Sequence, residues 1–441
     1  MSTSKLSRRA FIHRSAMGAA GLTLIPGMFL SGCAGKKTSP NDNINLGFIG
    51  LGQQARNLWT GFLKIPGVKI IAGADVYDIK RARFEKAIKD YYTDKQETCD
   101  VTLYDNFSDL LKRDDIDAVV IASPDHWHAL MAIEACKAGK DVYLEKPLTF
   151  TVYEGQQLIK AVRGNKRIMQ VGSQQRSDKE FQHAVKLIQD GRLGELERIQ
   201  TFVGAPPKPF DLPAEEVPAG LNWDKWLGPL PTSIHYNKEL NPPISLDPPK
   251  DEEFWGAWRW YKEMGGGFTT DWGAHMFDII QWSMNKDGSG PVKIIPAGVD
   301  GATNLTYIYD NGVPVVEQQF AEAWDKGIKY FGKDGSWIRV QRGLFMASDD
   351  SLLPPKEEDA NGEAYETGSE HHVAFIEAIR SRKDPNVTVE IGHSSCTMCT
   401  IGNIAYDLNQ SLEWDPAAQL FVGNDLANTK LHYDYRSGYK L

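Results

Sequence analysis

Cysteine is scarce in this chain, five in 441 residues. The pair Cys396 and Cys399 reads as CxxC, but it lies in a helical pattern, HSSCTMCTIGNIAYDL, with no second ligand pair nearby. A metal centre or redox dithiol is therefore set aside, and packing is the expected role. Basic residues are also in deficit, 49 Lys and Arg against 58 Asp and Glu, for a formal charge of −9. With no basic cluster in the body of the chain, a nucleic-acid surface and a polybasic membrane patch are excluded, and small neutral or polar substrates are expected. Long apolar runs are missing too. The best, within SAMGAAGLTLIPGMFL, is roughly 15 residues, too short to cross a ~30 Å hydrocarbon core, and Pro26 interrupts it. What remains is an ordinary globular composition, 41% hydrophobic and 24% charged, with enough core for two folded domains.

The N-terminus reads as an address. Arg8 and Arg9 form a twin arginine, the apolar stretch follows, and Leu30-Ser-Gly-Cys33 has the form of a bacterial lipobox. Residues 1–32 are expected to be a twin-arginine signal peptide and 33–43 a linker, with Cys33 lipidated and the protein periplasmic or held at a membrane only through that anchor. Twin-arginine export handles proteins that fold first, as a chain must when it carries a cofactor made inside the cell.

After the linker, INLGFIGLGQQARNL runs an apolar strand into Gly50-Leu51-Gly52-Gln53-Gln54-Ala55, a G-x-G-x-x-A turn opening a helix. The next strand, VKIIAGADVYD, ends at Asp75. These are the parts of a dinucleotide site. Gly50 permits the turn, Gly52 admits the pyrophosphate to the backbone, and Ala55 lets helix and strand pack. Asp75 accepts from a ribose diol and repels a 2′-phosphate, which favours NAD. Strand and helix alternate onward through DAVVIASPDHWHALMAIEACKAGKDVYLEKPL, predicting an α/β doubly wound parallel sheet over residues 44–165. Ser123 and Lys146 stand at strand ends, where ligands sit in such sheets. His126 and His128 open a helix close to the cofactor and are expected to contact or cap rather than to catalyse. Residues 166–441 alternate in several long segments, predicting an α+β domain with a large, mainly antiparallel open sheet. One of its faces must be covered, which suggests a homo-oligomer.

Asp271 and His275, in GGGFTTDWGAHMFDIIQW, are four residues apart and so share one face of a helix predicted to start near Thr270, with Asp278 continuing it. Removing a proton from a secondary alcohol as hydride leaves its carbon needs a base tuned near working pH, and imidazole is the natural choice. His275 is read as general acid/base, Asp271 as its charge partner, and Lys146 as the cation that polarises the reacting oxygen. Trp258, Arg259 and Tyr261 could stack on and hydrogen-bond a sugar, although aromatics at this spacing are often core. Gln174 and Arg176 are similar candidates on a loop after a strand. His393 is expected to cap or pack.

GFIGLGQQA, ASPDHWHA, GKDVYLEKPL and GGGFTTDWGAHMFDIIQW together resemble the Gfo/Idh/MocA oxidoreductases, over nearly all of the chain after the linker. The resemblance implies that Lys146 of the Glu145-Lys146-Pro147 motif stands by the nicotinamide and the substrate hydroxyl, with Asp271 and His275 as its partners. It also implies that the sheet packs against a second subunit. The bond before Pro147 is a candidate cis peptide.

The expected function is NAD-dependent hydride transfer at a carbinol carbon of a sugar, glycoside or cyclitol. Because an exported protein meets no dependable pool of NAD, the cofactor is expected to be tightly held and recycled in place. One alternative is an NAD-dependent glycosidase acting through a transient 3-keto sugar. A second is a lipid-anchored binding protein that keeps the fold without catalysis.

Overall fold

The computed structural model describes residues 43–247, 255–321, 326–355 and 369–441. The signal peptide, the linker up to residue 42 and Cys33 lie outside them.

Six short strands form the first sheet: β1 (Ile44–Ile49), β2 (Val68–Ala74), β3 (Thr102–Tyr104), β4 (Ala118–Ile121), β5 (Asp141–Leu144) and β6 (Met169–Val171). Their order is β3-β2-β1-β4-β5-β6, and every pairing is parallel. Helices cover both faces, so the central strands are continuously apolar rather than alternating; in β4, Ala-Val-Val-Ile, all four side chains are buried. The connection order reverses between β1 and β4, which opens a crevice at the carboxyl ends of those two strands. The sixth strand corrects the expected domain boundary. Val142 to Leu144 pair with β6, so the sheet continues past residue 165. A strand this short carries too little pattern to announce itself.

The second sheet has nine strands: β7 (Leu196–Phe202), β8 (Lys293–Ile295), β9 (Thr306–Ile308), β10 (Pro314–Glu317), β11 (Gly327–Gly332), β12 (Trp337–Gln341), β13 (Leu344–Ala347), β14 (Leu412–Asp415) and β15 (Leu420–Phe421). The order is β13-β12-β11-β7-β10-β9-β8-β14-β15. It is antiparallel except where β7 meets β10. Its inward side chains follow the period of two: Ile199, Tyr307, Val315, Ile328, Tyr330, Ile338 and Val340 are fully buried. They pack on the helices Lys179–Gln189, Gly273–Ser283 and Val389–Leu408. Each such aliphatic side chain stabilises the fold by roughly 1.5–3 kcal/mol relative to an exposed one. Cys396 and Cys399 are buried on the last of these helices. Cys399 belongs to the core, and Cys396 donates to the carbonyl of Thr149 at 3.0 Å. Burial pushes the Cys396 thiol up to about 11, the state of an inert packing residue.

A buried ionic knot ties the turn that leaves the first sheet to the helices of the second domain. Arg176, on the short 3-10 turn Gln174–Ser177 after β6, donates to both carboxylate oxygens of Asp278 at 2.7 and 2.9 Å and to Asp287 at 2.6 and 2.9 Å. Ser395 adds a hydrogen bond to Asp278 at 2.7 Å. The turn, the helix Gly273–Ser283 and the helix Val389–Leu408 are thereby locked together. Arg176 is thus corrected from a substrate candidate to a structural residue, since two carboxylates consume its fork.

Candidate active site

The crevice at the β1–β4 switch is a cleft of about 470 Å³ lined by Gly50, Gly52, Gln53, Asp75 and Ser123 among others. Its features fit a dinucleotide. Gly50 adopts φ +79°, and a Cβ there would lie 2.8 Å from the backbone of Ala122 and Ser123. A Cβ at Gly52 would meet nothing within 4 Å, so the backbone is open to a ligand. The helix Gln53–Phe62 has no side-chain cap and no acidic residue in its first turn, leaving its N–H groups and dipole for a phosphate. Asp75 accepts from the backbone N–H of Leu51 at 2.8 Å through one oxygen and from that of Tyr77 at 2.9 Å through the other. Each oxygen keeps a lone pair, and Asp75 lines the cleft. The hydroxyl of Ser123 is buried with no partner. Leu51 lines neither cavity; its side chain is buried in the core and its amide is donated to Asp75.

A second cavity of about 1450 Å³ adjoins the first. Gln54, Ala122, Ser123, Trp255, Trp258 and Arg259 line both. On the wall of the larger cavity beside this seam stand Glu145 and Lys146 of the Glu145-Lys146-Pro147 motif, and the Lys146–Pro147 bond is cis. Glu145 is buried and held by Gln54 at 2.8 Å and Gln174 at 3.0 Å; burial raises its carboxyl above the usual range. Lys146 points the other way, donating to the Asp271 carboxylate at 2.8 Å and to the Asp271 carbonyl at 2.7 Å. Arg259 lies 3.8 Å from the same carboxylate oxygen and stacks on Trp258 at 4.3 Å. Burial pushes the Asp271 carboxyl up, but Lys146 and then Arg259 outweigh it and hold it below its ordinary value.

Asp271 and His275 both line this cavity, but not on one helix. The helix Gly267–Asp271 stops and a second runs Gly273–Ser283, with Trp272 at the break. The single helix inferred from the spacing is therefore corrected to two helices interrupted at Trp272, and both side chains nevertheless line the same cavity.

His275 is 5% exposed. Burial, then Lys146 and Arg342, depress its pKa well below the usual imidazole value, so the ring is neutral. Arg342, in the turn between β12 and β13, reaches Nε2 of His275 at 3.2 Å. A guanidinium only donates, so Nε2 is the acceptor and the proton sits on Nδ1, which is buried without a partner.

Among the cavity residues that escaped the sequence reading, two bear on the chemistry, Arg342 and Asp125. Asp125 opens the helix Asp125–Lys137 and lines the larger cavity. Burial drives its carboxyl up to about 8, against the pull of Arg259. At neutral pH it is a protonated carboxyl, a hydrogen-bond donor beside the Lys146–Asp271 pair.

The other candidates divide. Gln174 and Arg259 line the larger cavity, as does Trp258, although Trp258 is also core. Tyr261 lines neither cavity; it is 3% exposed, packed in the core beside Phe210, and is corrected to a core residue. His126 and His128 lie behind the cleft wall. His126 Nε2 faces the carbonyl of Trp226 at 3.1 Å. His128 lies between the carbonyls of Pro147 at 2.7 Å and Ser123 at 3.0 Å. Burial lowers each ring to about 4; a neutral ring carries a single N–H, so His128 donates to one of these two carbonyls and only packs against the other. His393 packs on Gln419 at 3.1 Å.

Fold and cleft define a two-domain protein with an NAD-binding Rossmann half. A model of the oxidoreductase family's NAD-binding Rossmann fold matches residues 44–173, and one of its C-terminal alpha/beta domain matches residues 204–441. The chain belongs to the Gfo/Idh/MocA oxidoreductase family. Among solved structures it resembles scyllo-inositol dehydrogenase from Lactobacillus casei with bound NAD(H) and scyllo-inositol, at TM-score 0.55 and 18% identity over 84% of this chain and 99% of that one. It also resembles the WlbA dehydrogenase from Bordetella pertussis in complex with NADH and UDP-GlcNAcA, at TM-score 0.59 and 16% identity over 85% and 99%. At these identities the likeness is one of fold. A glycosyl hydrolase family 109 protein 2 of Shewanella sp. (strain ANA-3) is 33% identical over 155 residues, 35% of this chain and 34% of that protein. A family 109 protein of Shewanella pealeana is 31% identical over 211 residues, 44% of each chain. The similarity thus spans less than half the length of these curated relatives.

Proposed function

We propose that this protein moves hydride to or from a carbinol carbon of a sugar, glycoside or cyclitol, with NAD held tightly and recycled in place. The observation that carries this reading is the Lys146–Asp271 pair on the wall of the larger cavity, 3.8 Å from Arg259, which lines both that cavity and the dinucleotide cleft. NAD, when bound, supplies the hydride acceptor or donor. Gly50, Gly52, Gln53 and Asp75 would hold it. Lys146 presents an ammonium to the reacting oxygen and stabilises negative charge developing there. Asp271 orients that ammonium, and Nε2 of His275 takes or returns the hydroxyl proton. The larger cavity admits a substrate of sugar size, with Arg259 and Gln174 as polar contacts.

A second reading, hydrolysis of a glycoside through a transient 3-keto sugar, is favoured by the similarity to family 109 glycosyl hydrolases over part of the chain. Both readings begin with the same oxidation. The twin arginine and Leu30-Ser-Gly-Cys33 support export and a lipid anchor, and the broad antiparallel sheet supports a homo-oligomer. The deciding experiment denatures protein purified without added cofactor, quantifies NAD(H) by mass spectrometry, and analyses products from glycosides. Stoichiometric NAD with a 3-keto product supports net redox, and released aglycone with no keto product supports hydrolysis. Protein that binds no NAD even when it is supplied refutes both.

A further inference from the structure

Arg342 occupies an unusual position for an arginine beside a catalytic cavity. Among the described residues no carboxylate lies within ion-pair distance of it. Its contacts are Nε2 of His275 at 3.2 Å and the ring of Trp272, 4.7 Å from the guanidinium carbon. The neighbouring cations are spent differently, Lys146 and Arg259 on Asp271 and Arg176 on Asp278 and Asp287. Asp178, a carboxyl whose charge acts on Arg342, caps the helix Lys179–Gln189 and is turned to the N–H groups of Glu180 and Phe181. Arg342 is exposed on the β12–β13 turn, its head turned into the cavity. It can move without disturbing the core.

Its partner is the wrong one for rest during catalysis. Nε2 carries the only lone pair of the neutral His275 ring, and Arg342 covers it. A base so covered cannot accept a substrate proton until the guanidinium leaves. A neutral imidazole is a weaker acceptor than a carboxylate, which engages guanidinium through two parallel charge-assisted hydrogen bonds. An anionic group entering the cavity would therefore draw Arg342 away and uncover the base in the same movement.

We propose that Arg342 is a specificity-determining residue that recognises a carboxylate on the substrate and, by moving onto it, frees Nε2 of His275. The substrate class is then an acidic sugar, a uronic acid or its glycoside, rather than the neutral one expected from the net charge. The substrate half of this inference rests on the sugar reading above; the movement of Arg342 does not.

The test uses NAD-loaded protein with histidine labelled by ¹⁵N, and the Arg342→Gln variant, which keeps a polar side chain on an exposed turn. Acetate serves as a bare carboxylate and acetamide as its neutral control. Acetate is expected to shift the His275 Nε2 resonance in the unmodified protein, acetamide is not, and Arg342→Gln is expected to show the uncovered resonance from the start. By calorimetry D-glucuronate should bind roughly tenfold or more tightly than D-glucose, and Arg342→Gln should erase that preference. An unmoved His275 resonance with acetate overturns the inference, whatever the sugars do. A shift with acetate and no binding of either sugar upholds Arg342 as the carboxylate receptor and refutes the sugar reading. Equal binding of the two sugars overturns the acidic-substrate assignment, and a stronger preference for D-glucose 6-phosphate overturns it in favour of a phosphate.

Discussion

Replacing Asp125 by Asn keeps the shape of a buried residue at the cavity and removes its proton. Burial raises the Asp125 carboxyl from 3.8 to about 8. The sign follows from linkage. The unfolded chain releases this proton near its ordinary pKa and the folded chain only near 8, so the associated stability is complete below the unfolded value and is lost as pH rises through the folded one. Integrating from about pH 5 to about pH 9 gives a loss of about 4 kcal/mol. Asn has nothing to release, so Asp125→Asn should lack this loss. Glu154 and Asp178, both raised to about 7, titrate in the same window in both proteins. The difference between the two curves therefore reports position 125 together with its electrostatic coupling to Glu154. The assay is urea unfolding of both proteins across that range. The variant should gain on the parent steadily with pH and level off above about 9. A pH-independent difference would mean that Asp125 is ionised in the folded protein, and its role as a donor in the cavity would fall.

Lys146→Met should lower hydride transfer by ~10² or more while NAD still co-purifies, measured by single-turnover absorbance and mass spectrometry; unchanged transfer would remove Lys146 from the reaction. His275→Ala should lower turnover by ~10² or more, and equal activity would remove the proposed base. Arg176→Met leaves Asp278 buried without its cation and should cost about 3–5 kcal/mol of stability in denaturant, where a substrate-contacting residue would instead change binding alone. Gly50→Ala, forced to φ +79° against the Ala122 and Ser123 backbone, should cost about 1–3 kcal/mol and reduce co-purified NAD.

The dinucleotide half was legible because its signals are local. A tight turn needs Gly50, a close approach needs Gly52, and an acid must stand at the end of β2; all three lie within one strand-helix-strand unit. Lys146 announced itself by the rigid motif around it. What the sequence hid depends on distant register. Arg342 is 67 residues from His275 and reaches it only because β12 and β13 form a hairpin beside the helix Gly273–Ser283. No feature of QRGLF signals that meeting. Asp125 was visible as an acid in the first turn of a helix, where a dipole explanation suffices; only the burial of that turn against the seam makes it a cavity residue. Arg176 and Tyr261 failed for the converse reason, since polar and aromatic side chains near a loop look alike whether a ligand or the core receives them.

The charge balance at the seam follows from these placements and supports the direction of the chemistry. One ionised carboxylate, Asp271, stands against Lys146 at 2.8 Å and Arg259 at 3.8 Å. Asp125 is held protonated and His275 neutral by burial. Glu145 is turned away from the Lys146 ammonium, its oxygens accepting from Gln54, Gln174 and the Lys146 backbone N–H. The groups on this wall of the cavity thus carry more positive than negative charge, on side chains only partly exposed, where such an excess is screened less than in bulk water. An alcohol losing its proton there would have its developing negative charge met by groups already in place.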